Sequence, residues 1–205
     1  MSPVRANFVA PFYEIFCKNL FSMIIGLTGT MGAGKGIVAE HLKSKGFEYH
    51  SYSKLIREEA KKLGYDETRE TLQSIANRIR EQSNDRGVLT KILLKKIKSD
   101  RVVLDGVRNL AELLTLKQRS DSYIIGVRAN QRLRFKRLKE RTRLGDPITF
   151  KEFKEIDDKE NKSIGKGQEI ELCLKNADFI IVNNGSLVQI RERVEDVLRQ
   201  IKKMI

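Results

Sequence analysis

Hydrophobic residues along this chain fall into two periods. Short runs at 24–28, 47–51, 102–106, 123–127 and 179–182, bounded by glycine or polar residues, read as strands. Between them, apolar positions recur every three or four residues. Helices are predicted at 35–45, with Val38 and Leu42 on one face and Gly46 as the stop, and at 54–63, capped by Ser51 or Ser53 and ended by Gly64. Two more follow, at 68–82 (Leu72, Ile75, Ala76, Ile79) and 87–98 (Leu89, Ile92, Leu93, Ile97). Later helices are predicted at 110–116, after Asn130, after a Thr149/Glu152 capping box, and at about 168–175. A second capping box, Ser186/Gln189, opens the last helix, with Leu187, Ile190, Val194, Val197 and Ile201 facing inward.

Strands alternating with helices predict one α/β domain of three layers, a parallel sheet covered on both faces. Ligands in such sheets sit at the carboxyl ends of the strands. That rim gathers residues 29–36, 51–57, 105–108 and 183–185. About fifty residues separate the second strand from the third, more than a minimal crossover needs, so a helical insert is expected over about 53–98. The polar stretch at about 142–167 is read as a short lid, with a break at Gly145-Asp146-Pro147 and a hinge at Gly165-Lys166-Gly167. Residues 1–22 have no period and carry Pro3 and Pro11; Glu14 and Lys18 interrupt any signal-peptide core. They are expected to be a start-site extension or a poorly ordered arm ahead of the domain at 23–205.

The first strand runs into Gly29-Thr30-Met31-Gly32-Ala33-Gly34-Lys35-Gly36, which fits the phosphate-binding pattern G-x-x-x-x-G-K. Glycines let several amides point into one concavity, the next helix adds its positive end, and Lys35 adds a full charge. The hydroxyl that usually follows the lysine as a magnesium ligand is absent: Gly36 and Ile37 stand there. Asp105 ends an apolar strand beside this loop, where a carboxylate that organises magnesium, here through water, belongs. Ser53, Arg57 and Arg108 stand on the same rim as a clamp for an acceptor phosphate. Arg137 and Arg141 share a helical face, Arg143 follows, and all three are candidates to neutralise a migrating phosphoryl group. Arg132 and Arg134 read as a solvated basic face.

Composition narrows the rest. The chain has 205 residues, 40% hydrophobic and 33% charged, with a net charge of +13. No apolar run approaches the roughly 20 residues that span a bilayer. The positive charge calls for anionic partners. A polyphosphate site on a Lys-rich surface is the simpler reading, and nucleic acid is the other. Cys17 and Cys173 form no motif and read as free thiols of a reducing, cytoplasmic setting; His41 and His50 lack metal-ligand spacing.

The loop Gly29–Gly36 resembles the phosphate loop of adenylate kinases, which also carry glycine after the lysine. Ser51–Arg57 is similar to that family's monophosphate-binding helix, and Leu104-Asp105-Gly106-Val107-Arg108 to its Asp-Gly-Phe-Pro-Arg segment, one residue shorter. Arg137 and Arg141 match the arginines flanking its lid. Asn183-Asn184-Gly185-Ser186 resembles the adenine-side loop of dephospho-CoA kinases, so Asn183 and Gly185 join Gly29–Ile37 as expected ATP contacts. The resemblance implies a nucleoside monophosphate kinase fold with sheet order 2-3-1-4-5. It also implies ATP as donor, Mg²⁺ as cofactor and a monomer or homodimer. With no acid after the second strand to take a hydroxyl proton, a nucleoside or deoxynucleoside monophosphate is the expected acceptor. Dephospho-CoA is the alternative, and a nucleic-acid-associated NTPase is the alternative of another class.

Overall fold

The first strand, β1 (Met23–Gly29), is buried along its whole length. It lies in the middle of a five-stranded sheet of order β2-β3-β1-β4-β5, with every neighbouring pair parallel. The computed structural model describes residues 22–141, 146–162 and 168–205. The other strands are β2 (Glu48–Ser51), β3 (Arg101–Val107), β4 (Ser122–Arg128) and β5 (Phe179–Val182). Central strands of a sheet covered on both faces need apolar side chains on both, which is why β1, β3 and β4 read as unbroken runs. The edge strands β2 and β5 are shorter and expose Tyr49, Ile180 and Val182.

Nine helices stand among the described residues. They are α1 (Lys35–Ser44), α2 (Tyr52–Lys62), α3 (Arg69–Ser83), α4 (Val88–Lys96), α5 (Leu110–Lys117), α6 (Gln131–Arg141), α7 (Phe150–Lys162), α8 (Ile170–Lys175) and α9 (Leu187–Lys202). On one face of the sheet, Val38 and Leu42 of α1 and Ile190, Val194 and Ile201 of α9 pack on Ile25, Leu27, Val103 and Ile125. On the other, Tyr52 (α2), Ala76 (α3), Leu89 and Leu93 (α4), Leu113 and Leu116 (α5) and Cys173 (α8) pack on Ile24, Leu104 and Ile124. The stretch expected to be an insert, about 53–98, carries α2–α4, and these helices pack on the sheet through core contacts. Tyr52 Oη and Thr90 Oγ1 share a 2.7 Å hydrogen bond. A third, small cluster joins α6 to α7 through Leu138 and Phe153 and reaches Met31.

Local signals account for most boundaries. Ser51 caps α2, Thr68 caps α3, and Ser186 and Gln189 form the full capping box of α9. The Thr149 box is half-made: Glu152 N–H reaches Thr149 Oγ1, but the Glu152 carboxylate takes the N–H of Ile148. Leu187, expected to face inward, is 57% exposed: it lines an open groove against α1 with Ile37 and His41. Residues 1–21, 142–145 and 163–167, with Cys17, Gly145 and Arg143, lie outside the described residues. No described helix is long and apolar enough to cross a membrane.

One irregularity serves the rim. Leu27 pairs with Asp105 but Thr28 pairs with Val107, so Gly106 is an extra residue in β3. Its φ of +102° is the left-handed conformation that such a bulge demands. A Cβ there would meet only Tyr52 Cβ at 3.9 Å, so backbone conformation and not space selects glycine. The bulge falls directly after Asp105.

Candidate active site

The turn between β1 and α1 is held from outside. Gly34 caps α1 with φ +103°, and a Cβ on it would collide with the Asn183 amide. That amide donates to Ala33 O at 2.9 Å, and Arg134 Nη1 donates to Met31 O at 3.0 Å. In a trans peptide the N–H points opposite to the C=O, so carbonyls gripped from outside turn their amides into the concavity. Asn183, expected among the ATP contacts, is 2% exposed and braces this loop. Gly185 is exposed just before α9, and Gly36 is exposed with open space around it.

Arg134 overturns the solvated reading of this part of the Arg-rich helix. It is 5% exposed, forms two hydrogen bonds to Asp157 of α7 at 2.6 and 2.7 Å, and bonds Ala129 O as well as Met31 O. The reason is its position: one turn before the buried Leu138, it lies on the inward stripe of α6. Arg132 is exposed, as expected.

Lys35 opens α1, and its Nζ donates to Gly29 O at 2.6 Å and Thr30 O at 3.1 Å. Its ammonium is pushed down to about 8 from 10.5. Burial is the main cause, followed by the positive charge of Arg108; Asp105 and Glu160 oppose the shift, and Arg134 adds to it. Groups from the end of β3 (Asp105, Arg108), from α6 (Arg134) and from α7 (Glu160) thus act on the lysine's charge.

Asp105 accepts a 3.0 Å hydrogen bond from Tyr49 Oη at Oδ2, and its Oδ1 is buried without a hydrogen-bond partner. An orphaned carboxylate oxygen beside a phosphate loop fits a water-mediated contact to Mg²⁺. No cluster of three His, Cys, Asp or Glu stands among the described residues. The ion would therefore complete its shell with water and phosphate oxygens, the usual habit of magnesium.

Directly after β3, Arg108 Nη1 donates to Gln168 at 2.9 Å and lies 3.9 Å from Glu160. Its backbone is pinned from two directions. Its N–H donates to Glu112 at 3.2 Å, and its C=O accepts from Glu169 N–H at 2.6 Å. Glu112 also takes Arg80 at 2.7 Å, and Glu169 takes Arg86 at 3.0 Å, so the insert and the Arg108 turn are tied together. Arg57 pairs with Glu67 at 3.2 Å, and Ser53 is half-buried in the first turn of α2. Arg137 holds Asn183 O at 3.0 Å, and Arg141 pairs with Asp146 at 2.7 and 2.8 Å on the surface. Two residues escaped the sequence reading. Arg69, at the start of α3, pairs with Glu160 at 2.6 Å and touches Met31 Sδ at 3.2 Å; Glu160 is 7% exposed. No local pattern marks either, because they meet only in the fold.

A groove of about 620 Å³ starts at the loop, at Gly36 and Ile37, and runs past Glu40 and His41 to Leu187 and Arg191. His41 bonds Glu195 at 2.7 Å and His50 bonds Glu48 at 2.8 Å, both as structural pairs.

Sheet order, glycine cradle and the lysine at the mouth of α1 define a P-loop protein. The chain belongs to the AAA domain family, whose profile matches residues 25–161, and to the UPF0200 proteins. It is 34% identical over 187 residues to the UPF0200 protein of Thermococcus gammatolerans, across 87% of this chain and 95% of that relative. Among solved structures, shikimate kinase from Acinetobacter baumannii in complex with shikimate matches with a TM-score of 0.59 at 18% identity, over 92% of this chain and 97% of that one. A gluconokinase from Sinorhizobium meliloti matches at 0.53 and 13%, over 90% and 96%. At such identities the likeness shows the fold.

Proposed function

We propose that this chain transfers the γ-phosphoryl group of ATP to a nucleoside or deoxynucleoside monophosphate. The observation that carries the reading is the meeting of Arg69 and Arg108 on Glu160, at 2.6 and 3.9 Å, with Arg69 also reaching Met31 of the loop at 3.2 Å. Cations from α3 and the end of β3 thus gather beside the loop that carries Lys35, an arrangement that suits a donor phosphate and an acceptor anion lying together.

The roles follow from chemistry. The loop amides hold the β- and γ-phosphates, and Lys35 leaves the carbonyls of Gly29 and Thr30 for phosphate oxygens. The groove beside Ile37 and Leu187 has room for the base of the donor. Asp105 would hold Mg²⁺ through water, and the bound ion supplies charge neutralisation across the phosphates. Arg108, with Arg57 and Arg69, clamps the acceptor phosphate. Its second pKa is about 6, so it arrives ionised and needs no base. An acceptor oxygen then bonds to the γ-phosphorus, the bond to the bridging oxygen breaks, and ADP leaves. Arg137, Arg141 and Arg143 are assigned to the charge of the migrating group.

A hydroxyl acceptor, such as dephospho-CoA, is favoured by one feature: Asp105 Oδ1 is a free buried acceptor for a proton. ADP release measured across nucleoside monophosphates, dephospho-CoA and shikimate separates the two. Turnover with a monophosphate, lost in Lys35→Ala and carrying a raised KM in Arg108→Ala, supports the first reading. Turnover confined to hydroxyl acceptors supports the second, and nucleic-acid-stimulated hydrolysis indifferent to every acceptor would remove both.

A further inference from the structure

Parallel pairing of β2 with β3 sets Ser51 opposite Asp105 and Tyr49 opposite Val103. Side chains two apart on a strand share a face. Tyr49 therefore stands one step behind Asp105 on the side covered by α1. The Lys43 ammonium lies 5.6 Å from its ring centroid, and its hydroxyl reaches forward to Asp105 Oδ2 at 3.0 Å. A hydrogen bond to Oδ2 restrains the carboxylate's rotation about Cβ–Cγ and leaves Oδ1 as the oxygen without a partner, directly before the bulge at Gly106.

We propose that Tyr49 is a positioning residue: its hydroxyl fixes the Asp105 carboxylate so that Oδ1 meets the hydration shell of the metal bound with the nucleotide. The inference rests on the metal role given to Asp105 above. Partners that orient a metal-contacting group from outside commonly change metal affinity by about 10- to 100-fold when removed. A water-mediated contact belongs at the low end of that range.

The test is Mn²⁺ affinity, read by electron paramagnetic resonance in the complex of the full chain with β,γ-imido-ATP. Wild type, Tyr49→Phe and Asp105→Asn are compared. Tyr49→Phe removes one oxygen and keeps the ring, so its thermal midpoint and its nucleotide affinity in EDTA should match wild type. Its Mn²⁺ affinity should fall about tenfold, and that of Asp105→Asn at least as far. If Asp105→Asn loses the ion and Tyr49→Phe does not, Tyr49 has no positioning role. If neither variant changes Mn²⁺ affinity, or none of the proteins binds the nucleotide, the metal role of Asp105 fails and the inference goes with it. A Tyr49→Phe protein that binds nucleotide more weakly in EDTA as well would place the hydroxyl's effect elsewhere and overturn the proposal.

Discussion

Replacing Arg134 by methionine tests the bracing of the phosphate loop. The wild-type guanidinium is 5% exposed and Asp157 is 2% exposed, so the variant strands a carboxylate in the interior. Removing one partner of a buried ion pair costs about 3–5 kcal/mol. Gln131 still donates to Asp157 at 3.0 Å, which argues for the lower part of that range. The Met31 carbonyl also loses its donor, worth about 1 kcal/mol. A total near 4 kcal/mol lowers the melting temperature by about 8–16 °C for a domain of this size. The double variant Arg134→Met/Asp157→Leu removes the stranded charge and should regain most of that loss. It does not restore the grip on Met31, so its affinity for β,γ-imido-ATP should remain about tenfold below wild type, or about 1.4 kcal/mol. Differential scanning fluorimetry and isothermal titration calorimetry read the two effects separately. A single variant that melts within about 2 °C of wild type would show that Arg134 lives in solvent. A double variant with full nucleotide affinity would show that the loop needs no such brace.

Other outcomes follow from the same geometry. Lys35 releases its proton near 8 in the folded chain and near 10.5 when unfolded, so nucleotide affinity should fall as pH rises through 8. Over the same interval, up to 10.5, the lysine's contribution to stability rises, because the unfolded chain then binds more protons. Calorimetry and melting curves against pH check the opposite signs, and Lys35→Met should flatten both. Glu160→Gln removes the counter-charge from Arg69 and Arg108, and the KM for a monophosphate acceptor should fall about fivefold in the coupled ADP assay; an unchanged KM would separate these arginines from the acceptor. Gly36→Ser puts a hydroxyl into open space at the start of α1. It should strengthen Mg²⁺-dependent nucleotide binding severalfold, with the melting temperature equal or higher, since serine suits a helix better than glycine.

The sheet was legible because its central strands are apolar on both faces and its loop glycines occur in a fixed spacing. The rim was legible in part. Asp105 and Arg108 follow an apolar strand, and topology alone sends them to the loop. Arg134 was misjudged because α6 carries many arginines, and only its spacing from Leu138 hints at an inward face; its partner Asp157 is 23 residues away. Arg69 and Glu160 were invisible, since charge pairing across α3 and α7 leaves no local trace. Leu187 followed the helical period of α9 but lines the open groove beside α1, which a helical period does not contain. Tyr49 and Asp105 are 56 residues apart and meet through strand register, which a pattern of single strands does not contain.

Asp157 and Glu160 are three positions apart on α7 and so share one side of it. The former anchors Arg134, which grips Met31 of the glycine-rich loop, and the latter pairs with Arg69 and lies near Arg108. One side of a single helix thus holds both the brace under Met31 and the counter-charge shared by Arg69 and Arg108, so a shift of α7 would displace the two together.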